Sequence, residues 1–195
     1  MRELVPRPGS PYSYPYRVQY TQPYAAQECA ERLHQVLRTS GSFTHLACVC
    51  IGTDRSTGDA LGPLVGTLLE KHAPPSLHIF GTLDEPVHAV NLRSTLYRIH
   101  QELHHPFIIA VDACLGQLKS VGWIQLGLGP LKPGAGVNKN LPEVGQVHVT
   151  GIVNVAGFME YFVLQNTRLG VVMKMAEVIA DAVQLAVRQY HTLPR

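Results

Sequence analysis

Apolar residues recur along this chain with two spacings, and their succession predicts an order of elements. Over Ala25–Thr39, Cys29, Leu33, Val36 and Leu37 share one helical stripe, and the segment SGS at Ser40–Ser42 ends it. Leu46–Ile51, LACVCI, is an unbroken apolar run, the pattern of a strand buried on both faces of a parallel sheet. A helix from about Ala60 to His72 follows, then a short strand at Leu77–Phe80. Leu92, Leu96, Ile99 and Leu103 place a helix over Ala89–Leu103, and Phe107–Val111, FIIAV, is a second buried strand with Asp112 at its end. Strand, helix, strand, helix, strand predicts right-handed crossovers and a mostly parallel sheet with helices on both faces, an α/β fold.

The second half predicts strands at Val121–Leu126 and Val147–Ile152, separated by the Gly- and Pro-rich stretch GLGPLKPGAGVNKNLPEVG. That connection is long for a compact domain and is expected to lie over a functional edge. A closing helix from about Arg168 to Gln189 carries Leu169, Val172, Met173, Ala176, Ile179, Ala180, Val183 and Val187 on an apolar stripe. Such a stripe suits internal packing or a homo-oligomer interface equally. Before the first helix, residues 1–24 hold five of the 14 prolines and five of the eight tyrosines and show neither period. They read as an extended tail, either a poorly ordered terminus or a partner-docking arm. Residues 25–195 form the single domain that the pattern predicts.

Composition narrows the function classes. Hydrophobic residues make up 46% of the 195 and charged residues 15%, enough for one substantial core. Sixteen basic residues against fourteen acidic give +2, too small a balance for a dedicated nucleic-acid or anionic-membrane binder. No apolar run approaches a membrane span and the N-terminus lacks an apolar signal core, so a cytoplasmic protein without a membrane partner is expected. Cys29, Cys48, Cys50 and Cys114 form no C-x-x-C pair, and the ten histidines form no H-E-x-x-H motif.

In an open parallel sheet, ligands bind beyond the carboxyl ends of the strands. Two aspartates are expected there: Asp59 in the small-residue loop IGTDRSTGDALGP, which leads into a helix, and Asp112 after FIIAV. Paired carboxylates can divide acid and base roles, or hold a divalent metal. The helix N-terminus favours Asp59 as the ionised base and Asp112 as the protonated acid, with the reverse assignment open. Taken singly, each also suits an ordinary structural role, a helix cap for Asp59 and a turn for Asp112. The loop glycines Gly52, Gly58 and Gly62 resemble a phosphate cradle, yet Gly-Asp-Ala stands where a Walker loop needs Gly-Lys-Ser/Thr, and G-x-G-x-x-G is absent. A second acidic loop, GTLDEPVHA, brings Asp84, Glu85 and His88 to the same expected edge as accessory or substrate-binding residues, and Asp54 joins them from the first loop. No G-x-S-x-G elbow exists, and Cys114 has no nearby His to activate it.

The strings GTDRSTGDALGPLVG, FGTLDEPVHAVNL, AVDACLG and TGIVNVAGFMEYFVLQNTRLGVVMKMA resemble the YyaC-type sporulation proteins of endospore-forming bacteria over about residues 30–190. That family is similar, more distantly, to the germination protease and to the HybD-like hydrogenase-maturation endopeptidases. The resemblance implies a three-layer α/β/α sandwich of the phosphorylase/hydrolase-like type, with Asp59 in GDALG and Asp112 in AVDAC as the functional acids. In the germination protease the two acids resemble an atypical aspartic-protease pair, and in the maturation enzymes they help bind the client's nickel. Here the maturation enzymes' histidine ligand has no matching motif, since His148 lies on a late strand and His88 in the acidic loop, and Thr53 replaces their Asn.

Three functions follow as expectations from this resemblance. The first is a sporulation-associated endopeptidase acting on a protein or peptide, spore proteins among them, with no required cofactor. In that reading the connection from Gly127 to Gly145 covers the substrate and the Asp84–His88 loop lines the crevice. The second is a non-catalytic spore-assembly factor using the same crevice for a partner. The third is a metal-recognising maturation factor with a divalent metal at Asp59 and Asp112.

Overall fold

The computed structural model describes residues 14–134 and 141–192. Six strands, β1 (Tyr16–Gln19), β2 (His45–Cys50), β3 (Leu77–Phe80), β4 (Pro106–Gly116), β5 (Trp123–Leu128) and β6 (Val147–Val155), form one sheet in the order β1-β5-β6-β4-β2-β3. β3, β2, β4 and β6 run parallel, while β5 is antiparallel to β6, and β1 to β5. Among the described residues five α-helices flank the sheet: α1 (Ala25–Thr39), α2 (Leu61–His72), α3 (Leu92–Glu102), α4 (Glu160–Gln165) and α5 (Leu169–Thr192).

The two sheet faces are covered unequally. Cys48, Cys50, Ile109, Val111, Ile124, Leu126, Val147 and Val149 pack with Leu33 and Leu37 of α1, Leu61, Val65 and Leu69 of α2, and Val172, Met175, Ile179 and Val183 of α5. Because side chains alternate along a strand, Ala47, Val49, Ile108 and Ala110 face the other way, where Leu92 and Ile99 of α3 meet them. The three-layer α/β/α arrangement is thus built from three helices on one face and α3 on the other. The closing helix packs internally: α5 buries Val172, Ala176, Ile179, Ala180, Val183 and Val187 of its predicted stripe against the sheet, α1 and α2, while Leu169 at its first turn is exposed and Met175 rather than Met173 is buried. No helix among the described residues is long and apolar enough to cross a membrane.

Three sequence expectations change. The segment read as an extended tail contributes β1, whose Val18 is buried and whose Tyr16 hydroxyl donates to the Glu28 carboxylate on α1, so part of it belongs to the folded body. β4 does not stop at Val111 but runs on to Gly116, because β6 continues beside it after β2 has ended. The Gly- and Pro-rich connection leaves β5 at Leu128 and returns at Val147, which pair with each other three residues below the Asp112–Thr150 pair. Its described parts therefore sit at the end of the sheet away from Asp112, anchored by the Leu131–Val144 bridge against Ile108 and Ala110, rather than over the carboxyl edge. Residues 135–140 of that connection lie outside the described residues.

Candidate active site

The backbone makes the site before any side chain enters it. β2 gives its last sheet bond from Ile51 N–H to Val111 O, 2.7 Å, and the chain then turns away, so Asp112 is the first β4 residue without a β2 neighbour. The departing loop is fixed twice: Gly52 N–H donates to Val87 O at 2.8 Å, and Thr53 N–H donates to Asp59 O at 3.1 Å. Gly52 has φ +154°, and a Cβ there would stand 2.0 Å from Asp59 O. At Gly62 a Cβ would meet Ile51 O at 2.1 Å, which is why the first turn of α2 can press against the end of β2. Asp59 sits in the short 3-10 turn Gly58–Ala60 that this packing holds over the sheet edge.

Asp59 and Asp112 are brought into electrostatic contact. Burial pushes the Asp112 carboxyl up to about 8; the Ala113 N–H, which donates to Asp112 Oδ1 at 2.8 Å, opposes this, and the charge of Asp59 adds to it. Burial raises Asp59 too, while the buried Ser56 hydroxyl, which does not reach full hydrogen-bond geometry, draws it part of the way back. Both carboxyls are thus raised above the ordinary aspartate range, Asp112 to about 8, by burial first. Asp59 and Asp112 are both half-buried residues.

The remaining candidates lie elsewhere. Glu85 and His88 line a cavity of about 580 Å³ between β3 and α3, together with Glu70, Asn91 and Arg98, and neither Asp59 nor Asp112 lines it. Their loop is tied to the first one through the Ile51–Val87 bridge, but their side chains form a separate groove. Asp84 is exposed, and so is Asp54, whose Oδ1 is 3.5 Å from the Thr53 hydroxyl. Cys114 lies on β4 two residues past Asp112, and burial pushes its thiol up to about 11, so it is not an activated nucleophile. His148 contacts Gly129 O through Nδ1 at 3.0 Å. Among the described residues no three His, Cys, Asp or Glu side chains are grouped to hold a metal ion.

Helix α4 was not predicted. It lies beside the Asp59 turn: a Cβ on Gly58 would stand 2.7 Å from Leu164 Cδ2. Asn154 at the end of β6 anchors it by donating to Val163 O and to Thr167 Oγ1, each at 3.2 Å. Ahead of it Met159 adopts φ +58°, and Phe158 is 96% exposed, with Met159, Tyr161 and Phe162 also exposed. The signal was present in GFMEYF, a cluster of large apolar residues without the spacing of a buried stripe.

A family model described as "Protein of unknown function (DUF1256)" matches residues 17–182. The chain is 52% identical over 185 residues to "Uncharacterized protein YyaC" of Bacillus subtilis (strain 168), covering 93% of this chain and 90% of that protein. Its fold is similar to that of the crystal structure of the NiFe hydrogenase maturation protease HycI from Thermococcus kodakarensis KOD1, with a TM-score of 0.56 and 16% identity over 80% of this chain and 98% of the other.

Proposed function

We propose that this chain, which belongs to the DUF1256 family, is an endopeptidase that uses Asp59 and Asp112 as an acid pair. The observation that carries the reading is the packing of the Gly58–Ala60 turn against β4, which brings Asp59 close enough for its charge to add to the burial that raises the Asp112 carboxyl. Asp59, ionised, takes a proton from a water molecule as the water oxygen attacks the peptide carbonyl carbon. Asp112, protonated, donates to the carbonyl oxygen and so stabilises the charge that develops there. As the tetrahedral intermediate collapses, one of its hydroxyls returns its proton to Asp112 while the C–N bond breaks and the departing nitrogen takes the proton held by Asp59, leaving Asp59 ionised and Asp112 protonated as at the start.

Two further features support a polypeptide substrate. The apolar residues before and on α4, beside the Asp59 turn, suit the side chains of a polypeptide better than a small polar metabolite. The fold is similar to that of a NiFe hydrogenase maturation protease, which is compatible with peptide-bond chemistry on this scaffold. A sporulation role, with spore proteins as substrates in the cytoplasm, rests on the sequence resemblance. The proposed chemistry requires no cofactor.

Intact-mass analysis of the full chain incubated with a mixture of small spore proteins tests this reading. Paired products whose masses sum to the parent plus one water are expected. A stable complex with an uncleaved protein would replace the enzyme by a binding factor.

A further inference from the structure

Among the described residues, on the face opposite α1, α2 and α5, helix α3 covers β2 and β4 and no helix packs on β6, β5 and β1. Register and alternation place four polar side chains in one row across this uncovered area. Asp112 on β4 pairs with Thr150 on β6, Thr150 with Gln125 on β5, and Gln125 with Arg17 on β1. Their strand neighbours Val111, Val149, Ile124, Leu126 and Val18 are all buried on the other face, so the four lie together on this one. Thr150 and Gln125 are half-buried and Arg17 is exposed.

At the far end of the row lies a shallow cavity of about 220 Å³ lined by Arg17, Lys119, Ser120, Trp123 and Ile152. Trp123 is held in place by its indole N–H, which donates to Lys119 O at 3.2 Å. Among the described residues no carboxylate lies within ion-pair distance of Arg17 or Lys119. Two cations and a hydroxyl around one hollow offer the charge and donors that a carboxylate requires. Adjacent strands stand about 4.8 Å apart, so the hollow is about 10–14 Å from Asp112, the span of about three or four extended residues.

We infer that this cavity is a subsite for a carboxylate of the substrate polypeptide, held by Arg17 and Lys119 while the chain crosses Gln125 and Thr150 to reach the aspartates. The inference rests on the endopeptidase reading of Asp59 and Asp112, and it adds a specificity: an acidic side chain or the C-terminal carboxylate about three or four residues from the cleaved bond. The spacing favours a substrate lying across the strands rather than one added at the edge of the sheet.

Trp123 is the only tryptophan in the chain, so its fluorescence reports the cavity directly. Full-length protein would be titrated with synthetic octapeptides carrying Glu or Gln at one position, each with a free or an amidated C-terminus, and the same samples read by intact mass. The Glu peptide should shift Trp123 emission and bind about tenfold more tightly than its Gln counterpart, and R17Q/K119Q should lose that preference while melting as the wild type does. A preference that follows the free C-terminus instead supports the same subsite with the terminal carboxylate as its ligand. Equal binding of all four peptides, or a preference unchanged in R17Q/K119Q, overturns the inference. Cleavage without acid preference would sink the subsite and leave the endopeptidase reading standing; acid-selective binding without cleavage would do the reverse.

Discussion

Ile51 gives the last β2–β4 hydrogen bond to Val111, and Asp112 is the next residue along β4. The end of one strand therefore decides where the acid stands: inside the sheet by its own backbone, and at an edge with respect to its neighbour. That position explains why Asp112 is both deeply surrounded and open, and why its proton is held so strongly.

Cleavage should depend on pH through both carboxyls. Activity needs Asp59 ionised and Asp112 protonated, so the rate should rise through a pKa above the ordinary aspartate value and fall above about pH 8. In the Asp59→Asn variant, carboxyl ¹³C titration should show the Asp112 midpoint moving down, because the Asp59 charge that raises it has gone.

Stability should carry the same signature with a defined sign. Burial holds the native Asp112 carboxyl at about 8, against an ordinary value of 3.8; the folded state therefore binds the extra proton between these values, and stability falls as pH rises through that window. Asp112→Asn removes the penalty. Relative to wild type, the variant should gain about 2–4 kcal/mol between pH 4 and pH 8, the nominal shift being discounted for the carboxyl's partial exposure. Urea unfolding at the two pH values measures it, and a difference that does not change with pH would remove the raised proton affinity from the account.

Gly52 is the residue on which the loop geometry turns. An Ala there would be strained at φ +154° and would press a methyl group into Asp59 O, which the Cβ would meet at 2.0 Å. Gly52→Ala should cost about 2–4 kcal/mol in urea unfolding and displace Asp59. A variant with wild-type stability and wild-type cleavage would show that the loop does not position the acid.

Much of this was legible in the residues. LACVCI and FIIAV announced buried parallel strands because nothing polar interrupts them, and the apolar stripe of α5 was readable at its helical period. Asp59 was legible as an acid beyond a strand end and Asp112 as an acid following an apolar run, although Asp112 stands inside β4, and their proximity depends on long-range packing of α2 against β2. The row from Asp112 to Arg17 was not readable, because it depends on the register of four strands, and β1 lies in a segment whose four residues are too few to show a period. The strand through Asp112 appeared to stop early because its last residues are polar or small where β2 no longer covers them.

Cysteine chemistry gives a separate check. With its thiol pushed up to about 11, Cys114 should be almost wholly protonated at neutral pH and react slowly with iodoacetamide. Cys114→Ser should keep cleavage within about twofold of wild type. Loss of activity in that variant, or inactivation by alkylation of Cys114, would point to a thiol mechanism instead.

The central claim is tested most directly by intact-mass detection of cleavage products from spore proteins with wild type, Asp59→Asn, Asp112→Asn and the double variant. The account predicts products from wild type, a loss of about a thousandfold or more in each single variant, and little further loss in the double, because the two acids act as a unit. Undiminished cleavage by either single variant would contradict it.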